Sequence, residues 1–161
     1  MGQIWKVPSL GGQNMMTLTD AIKDARKRQI VIGHFNVSDL VALKAVTSAA
    51  RELKLPVLVG VSEGERNFLG VREIAAVVAN LRERLSHPIF LNADHTHSLE
   101  GAVEAAAAGF DMICFDASTM PLETNIDQTS TRNHSWVIRR FLNRRWWTFF
   151  LVQAKGVAVS L

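Results

Sequence analysis

Apolar residues run along this chain in two rhythms: short unbroken runs, and longer stretches in which they recur every three or four positions. Residues 17–28, TLTDAIKDARKR, open at the pair Thr19 and Asp20 and set Leu18, Ile22 and Ala25 at helical spacing, which predicts a helix. Residues 30–37, IVIGHFNV, are apolar and β-branched with no helical period, as a strand requires. From Ser38 or Asp39, either of which can cap a helix, SDLVALKAVTSAARELKL carries a stripe of Leu40, Leu43, Val46, Ala50 and Leu53. Pro56 stops that helix, and VLVGVS, residues 57–62, reads as the next strand. The alternation then repeats: GVREIAAVVANLRERL as a helix, PIFLNA as a strand, SLEGAVEAAAA as a helix closed by Gly109, and MICFDAS as a strand.

Strands that are apolar at every position are buried on both faces, so the pattern predicts a parallel sheet with helices outside it. No strand-to-helix turn carries GxGxxG, and GxxxxGK[ST] does not occur, which removes the dinucleotide and P-loop fingerprints. The expected fold is therefore α/β, of the TIM (β/α)8-barrel kind, with four βα units present. The polar residues Asn36, Ser62, Asn92, Asp94 with His95, and Asp116 with Ser118 fall at the C-terminal ends of the predicted strands. A barrel builds its active site there.

Composition changes the picture at one point. The 161 residues suffice for one core. The single cysteine, Cys114, excludes an internal disulfide framework and fits a reducing, cytoplasmic setting. No secretory leader and no apolar run of membrane-spanning length is apparent. The net charge of +3 invites a nucleic-acid reading, but its distribution opposes one. All 15 acidic residues and 12 of the 18 Lys and Arg lie in residues 1–128, a balance of −3, whereas residues 129–161 carry six basic residues and no acid. An acidic body argues against a phosphate-backbone binder, so neither nucleic acid nor membrane is an expected partner.

The stretch LNADHTHSLEGAVEAAAAGFDMICFDASTMPLETNI resembles the class II, metal-dependent ketose-bisphosphate aldolases. In that family a strand ending in Asp-His leads to a helix, an AGF turn, a strand ending in DGS or DAS, and then PFEENI. GHFNVSDLVALKAVTSAARELKLPVLVGVSEGE is similar to the first two strand–helix units, and the likeness runs from about Met16 to Asp127. It implies aldol cleavage of a ketose bisphosphate such as fructose 1,6-bisphosphate, with tagatose bisphosphate as a substrate the family also covers. Zinc or another divalent ion would polarise the ketose carbonyl and stabilise the charge left when the C3–C4 bond breaks. By the same resemblance His95 matches a metal-ligating imidazole, and Asp94 the acid/base working on the C4 oxygen. Asp116 matches a carboxylate near the metal, and Asn36 and Ser62 match positions that contact substrate. Read without the family, Asn36 and Ser62 serve equally well as helix caps. His97 reads as a polar loop residue, His34 as a packing residue, and Cys114 as a small core residue.

The family pattern ends near Asn125, and two units are expected: residues 1–128 as an N-terminal half barrel and 129–161 as a basic, aromatic tail outside the pattern. The tail holds five Arg and three of the four Trp, and its composition resembles out-of-frame translation. His134 lies there and is not offered as a ligand. The remaining metal ligands and the phosphate-holding loops are absent, so a truncated, weakly active or inactive aldolase is expected. Four units also leave sheet edges and an apolar inner face open, which predicts a homo-oligomer, with WWTFFLV covering part of that face. The alternative is a non-catalytic half barrel whose Arg/Trp tail contacts membrane or nucleic acid, an interaction that salt would weaken.

Overall fold

The computed structural model describes residues 16–129 and 149–153. The readings made for His134 and for the Arg-rich stretch before Phe149 fall outside the described residues. The chain order is α1 (Leu18–Arg28), β1 (Gly33–Asn36), α2 (Leu40–Leu53), β2 (Val57–Ser62), α3 (Glu63–Leu69), α4 (Val71–Leu85), β3 (Ile89–Thr96), α5 (Leu99–Ala108), β4 (Met112–Asp116), α6 (Leu122–Thr129) and β5 (Phe149–Gln153). The strands form one parallel sheet in sequential order, β1 through β5. The four βα units are those the hydrophobic pattern predicts.

Several boundaries differ from the pattern, each for a physical reason. α1 is capped by Thr17, not by Thr19 or Asp20, in a box where Thr17 and Asp20 satisfy each other's end of the helix. β1 begins only at Gly33, opposite Val57, because Pro56 before Val57 has no N–H to extend the ladder. The α2 stripe is rotated: Leu43, Thr47 and Ala50 are buried, whereas Leu40 and Leu53 are 49% and 67% exposed. α3 is an additional short helix, started by Ser62 and Glu65 in a second capping box. β5 lies within the segment expected to cover the sheet's face, yet it extends the sheet at the edge of β4, Met112 opposite Phe149 and Asp116 opposite Gln153.

Strand alternation sorts the core into two layers. Val57, Val59 and Val61, Ile89, Leu91 and Ala93, and Ile113 and Phe115 belong to a buried cluster with Leu43, Ile74, Val78, Leu81 and Ala102 from the helices. On the opposite face Phe90 is packed with Leu18 and Ala21 of α1, and with the partly buried Ile32, Leu58 and Met112. That face is therefore floored with apolar side chains at its N-terminal end. Toward the C-terminal end the same alternation presents Asn36, Gly60, Asn92, Asp94 and Asp116.

The start of β3 is fixed by a buried ion pair. Arg82 of α4 donates from Nε to the Ile89 carbonyl at 2.6 Å and from Nη2 to Asp111 Oδ2, which also accepts the Leu91 N–H at 2.8 Å. Burial pushes the Asp111 carboxyl above its ordinary range, and Arg82 pulls against that shift. Removing one partner of such a pair strands the other charge in a dry site. Arg82→Met is therefore expected to cost about 3–5 kcal/mol in urea unfolding; a loss below about 1 kcal/mol, within the range of exposed ion pairs, would show that the pair does not anchor β3.

Candidate active site

β3 does not finish as a regular strand. Its ladder with β4 runs Asn92 to Met112 and Ala93 to Ile113, then shifts register before Thr96 meets Phe115. Inside this break His95 takes φ 44°, the left-handed region that non-glycine residues enter at a cost. A regular strand would turn His95 toward the helices, away from Asp94. The bulge turns it instead to Asp116, which lies on the inner face of β4: His95 Nδ1 donates to Asp116 Oδ2 at 2.9 Å.

Arg66 of α3, 3% exposed, holds the break in place. Its Nη1 donates to the carbonyls of Val61 at 2.6 Å and Asp94 at 3.1 Å, and its Nη2 to Thr96 Oγ1 at 2.8 Å. Thr96 in turn donates to the Ala93 carbonyl at 3.3 Å. The forked guanidinium thus meets acceptors on both β2 and the bulge, which a point-like ammonium could not do. Burial lowers the Arg66 pKa, and Glu63, Asp94, Glu104 and Glu65 oppose that shift.

The sequence-predicted residues gather at this end of the sheet, in different roles. Asn36 Nδ2 donates to Asp94 Oδ2 at 2.7 Å, and Asn92 Nδ2 lies 3.4 Å from Asp94 Oδ1, so two amides bracket the carboxylate. Ser62 sits opposite Asp94 in the β2–β3 register, and its hydroxyl accepts the Glu65 N–H as the cap of α3. Asp116 accepts from His95 and, at 3.0 Å, from the Ser118 N–H. His97 lies in the loop, as expected, where its Nδ1 donates to the Asp116 carbonyl at 3.3 Å and its N–H to Glu63 at 3.2 Å. Cys114 is buried, and desolvation raises its thiol pKa; it is a core residue, as read.

His34 requires a correction. It is exposed on the inner face, not packed, with Nε2 3.3 Å from Asn92 Nδ2. Gly60 makes room for it, since a Cβ there would strike Asn36 and sit 2.5 Å from His34 Nε2. The sequence singled out neither Arg66 nor Gly60. A lone Arg in a short polar segment carries no period, and a glycine inside VLVGVS signals close approach only once its neighbours are known.

The charge pattern at the mouth is consistent within itself. The Ser118 hydroxyl first, then His95 and the Ser118 N–H, hold the Asp116 carboxyl down at about 2 against desolvation. Its hydrogen bond to Asp116 raises the His95 pKa above 6.5, with desolvation opposing and the charges of Asp94 and Asp116 assisting. Nδ1 being engaged, His95 has Nε2 alone to offer a ligand. The rings of His95 and His97 stand 6.5 Å apart. Among the described residues no group of three or more His, Cys, Asp and Glu side chains can hold a metal ion. A zinc site needs about three protein ligands, so these residues do not by themselves fit one. A groove of about 800 Å³ between α4 and α5, lined by Ala75, Ala79, Val103 and Ala107 among others, lies on the helix layer and includes none of the strand-end residues.

Comparison with known proteins bears on the family and the fold. Residues 16–134 match the family described as fructose-bisphosphate aldolase class-II. The fructose-bisphosphate aldolase of Geobacillus stearothermophilus is 32% identical over 120 residues, which cover 73% of this chain and 42% of that protein. The 6-phospho-5-dehydro-2-deoxy-D-gluconate aldolase of Bacillus subtilis is 33% identical over 117 residues, 71% of this chain and 40% of that protein. The chain thus spans less than half the length of these relatives. In fold it is similar to the fructose-bisphosphate aldolase of Campylobacter jejuni, with a TM-score of 0.68 at 21% identity over 86% of this chain and 46% of that one. An aldolase from Escherichia coli K12 gives a TM-score of 0.64 at 24% identity over 80% and 47%.

Two outcomes are expected from the mouth itself. Arg66→Lys should lose at least one of the three hydrogen bonds and, as charged donors are worth about 1.5–3 kcal/mol each, destabilise by roughly that amount in chemical denaturation; an unchanged midpoint would remove Arg66 from its clamping role. In an NMR titration His95 should titrate above 6.5, and Asp116→Asn should bring it down. The raised His95 pKa stabilises the fold below about 6.5 and ceases to as pH climbs through the raised value. The depressed Asp116 pKa stabilises it above 3.8 and ceases to as pH falls through about 2. The pair is therefore strongest from roughly pH 4 to 6.5, and an Asp116→Asn protein with an unmoved His95 titration would contradict it.

Proposed function

Because the chain belongs to the class II fructose-bisphosphate aldolases, we propose that its described part is the base-bearing portion of a site that makes and breaks the C3–C4 bond of a ketose bisphosphate. Fructose 1,6-bisphosphate is the substrate that fits the family, with dihydroxyacetone phosphate and glyceraldehyde 3-phosphate as products. One observation carries the reading: the Asp94 carboxylate stands at the C-terminal end of β3, held at 2.7 Å by the Asn36 amide, with the His95 imidazole beside it.

In this reading Asp94 takes the proton of the C4 hydroxyl as the C3–C4 bond breaks, and returns it in the aldol direction. Asn36 holds one carboxylate oxygen at 2.7 Å, and the longer 3.4 Å contact from Asn92 leaves the other the freer to take the proton. Ser62, capping α3 beside Asp94, borders the substrate. The electron pair left at C3 passes into the C2 carbonyl and needs an electrophile there. Class II aldolases are generally metal-dependent, and a divalent ion, zinc foremost, supplies that electrophile when bound. Here the described residues offer the His95 Nε2 nitrogen, with Asp116 orienting its ring in the manner of an outer-shell carboxylate. One nitrogen falls short of a zinc site. Residues 129–161 stand outside this chemistry. The setting is cytoplasmic, and a second copy covers the open β1 edge, where Val31 and Phe35 are 92% and 51% exposed.

In a zinc-supplemented cleavage assay with fructose 1,6-bisphosphate, the chain alone should turn over at least about a thousandfold more slowly than a complete aldolase, the scale of loss when electrostatic stabilisation of the transition state is removed. Any residual turnover should vanish in Asp94→Ala. Near-complete turnover would show that the further ligands are dispensable, and residual turnover unchanged in Asp94→Ala would remove Asp94 as the base.

A further inference from the structure

Beneath Asp94 the inner face carries a second polar layer. Asn92, 1% exposed, places its single Nδ2 between two acceptors, Asp94 Oδ1 at 3.4 Å and His34 Nε2 at 3.3 Å. Its Oδ1 is buried with no partner. A buried amide oxygen left unpaired is costly, and the opposite amide assignment would turn Oδ1 against the Asp94 carboxylate, which is worse. Asn92 therefore gives up one hydrogen bond in order to orient two other groups, a concession characteristic of functional sites.

The consequence for His34 is chemical. With Nε2 accepting from Asn92, a neutral ring carries its proton on Nδ1. Among the described residues Nδ1 has no partner, and the side chain is exposed on the inner face. Gly60 lies under both His34 and Asn36, opposite Asn36 and Asn92 in the register, and any side chain there would displace the two of them. Around this pair the face is apolar: Leu58 lies opposite His34, with Phe90 beyond it, Met112 lies opposite Asn92, and all three pack toward α1. An exposed imidazole donor, fixed from behind and set between an apolar floor and the Asp94 carboxylate, is a built contact.

We infer that His34 is a specificity-determining residue of the site: its Nδ1–H donates to a hydroxyl of the substrate's carbon chain, one layer below the Asp94 carboxylate. The inference rests on the aldolase reading above, and it selects a hydroxyl over a phosphate because the nearest fixed charge is the Asp94 carboxylate, which repels an anion. Asn36, Asp94, Asn92 and His34 then form one hydrogen-bonded row across β1 and β3, with Asp94 facing the reacting oxygen and His34 reading the hydroxyl beside it.

The test is a titration of the full chain, labelled with ¹³C and ¹⁵N at histidine and asparagine, with fructose 1,6-bisphosphate and separately with inorganic phosphate at matched ionic strength. His34→Gln assigns the His34 signals. The sugar bisphosphate should shift the His34 ring and the Asn36 amide together, and phosphate should leave the His34 ring unmoved. His34→Leu, at an exposed position, should keep the wild-type Tm and weaken sugar binding about tenfold, the equivalent of about 1.4 kcal/mol. If Asn36 and His95 shift while His34 does not, or if His34→Leu binds as wild type, the assignment of His34 falls and the aldolase reading stands. If inorganic phosphate alone moves His34, the position is an anion site and the hydroxyl assignment is wrong. If the sugar bisphosphate shifts none of these signals, both readings fall.

Discussion

Three hydrogen bonds from one buried guanidinium decide how the mouth of this sheet is arranged. β3 keeps register with β2 as far as Ser62 opposite Asp94, and a regular continuation would have sent His95 into the helix layer. Arg66 binds the carbonyls of Val61 and Asp94 and the hydroxyl of Thr96, stabilising a break in which His95 turns to φ 44°. A left-handed histidine costs of order 1–3 kcal/mol, a sum that the charged hydrogen bonds of Arg66 can offset. Asp94 and His95, adjacent in sequence, are thereby delivered to the same side of the sheet. The His95–Asp116 pair follows from that turn, whereas Asp94 reaches the inner face, between two asparagines, by regular alternation.

The other end of the sheet makes the turn affordable. Arg82 and Asp111 fix the first residues of β3, and α1 packs Leu18 and Ala21 onto Phe90. The strand pairs regularly over its first five residues and is irregular only where the site lies. The inner face accordingly changes character within one strand, from Phe90 through Asn92 to Asp94. Asp94 is half-buried at the end of that gradient, with apolar side chains below it and oriented amides alongside that keep the carboxylate pointed.

Much of this was legible in the sequence because the relevant signals are local. Continuous apolar runs placed β2 at its observed bounds and β3 and β4 with ends shifted by a few residues, and the caps of α2 and α5 are the Asp39 and Ser98 that precede their periodic stretches. What was hidden depends on neighbours distant in the chain. α3 has no apolar stripe, although its S-x-x-E capping box, Ser62 to Glu65, was there to be read. His34 looked like a packing residue because the resembled family usually carries a small residue there, and only the sheet reveals that β1 is an edge whose inner face opens at the site. Arg66 finds its acceptors up to 30 residues away, a relationship that no spacing rule encodes. The left-handed φ of His95 likewise has no sequence signature, since it is imposed by the register between β3 and β4.

The geometry also divides the chemical labour. Positioned proton transfer of the kind Asp94 can perform accelerates reactions by typically about 10²–10⁴-fold, whereas enzymes as a class achieve about 10⁶-fold or more. The difference must come from stabilising the charge that develops when carbon–carbon bonds break, and fixed positive charge or a metal at the carbonyl oxygen is the means. In the described part of this chain the cations near the mouth are already committed. Arg66 is spent on carbonyls, and the proton on His95 Nδ1 is directed at Asp116. On the proposed reading, the residues gathered here can orient and deprotonate but do not supply the electrophile. Relatives of which this chain spans 42% have the remainder of their length in which to supply it.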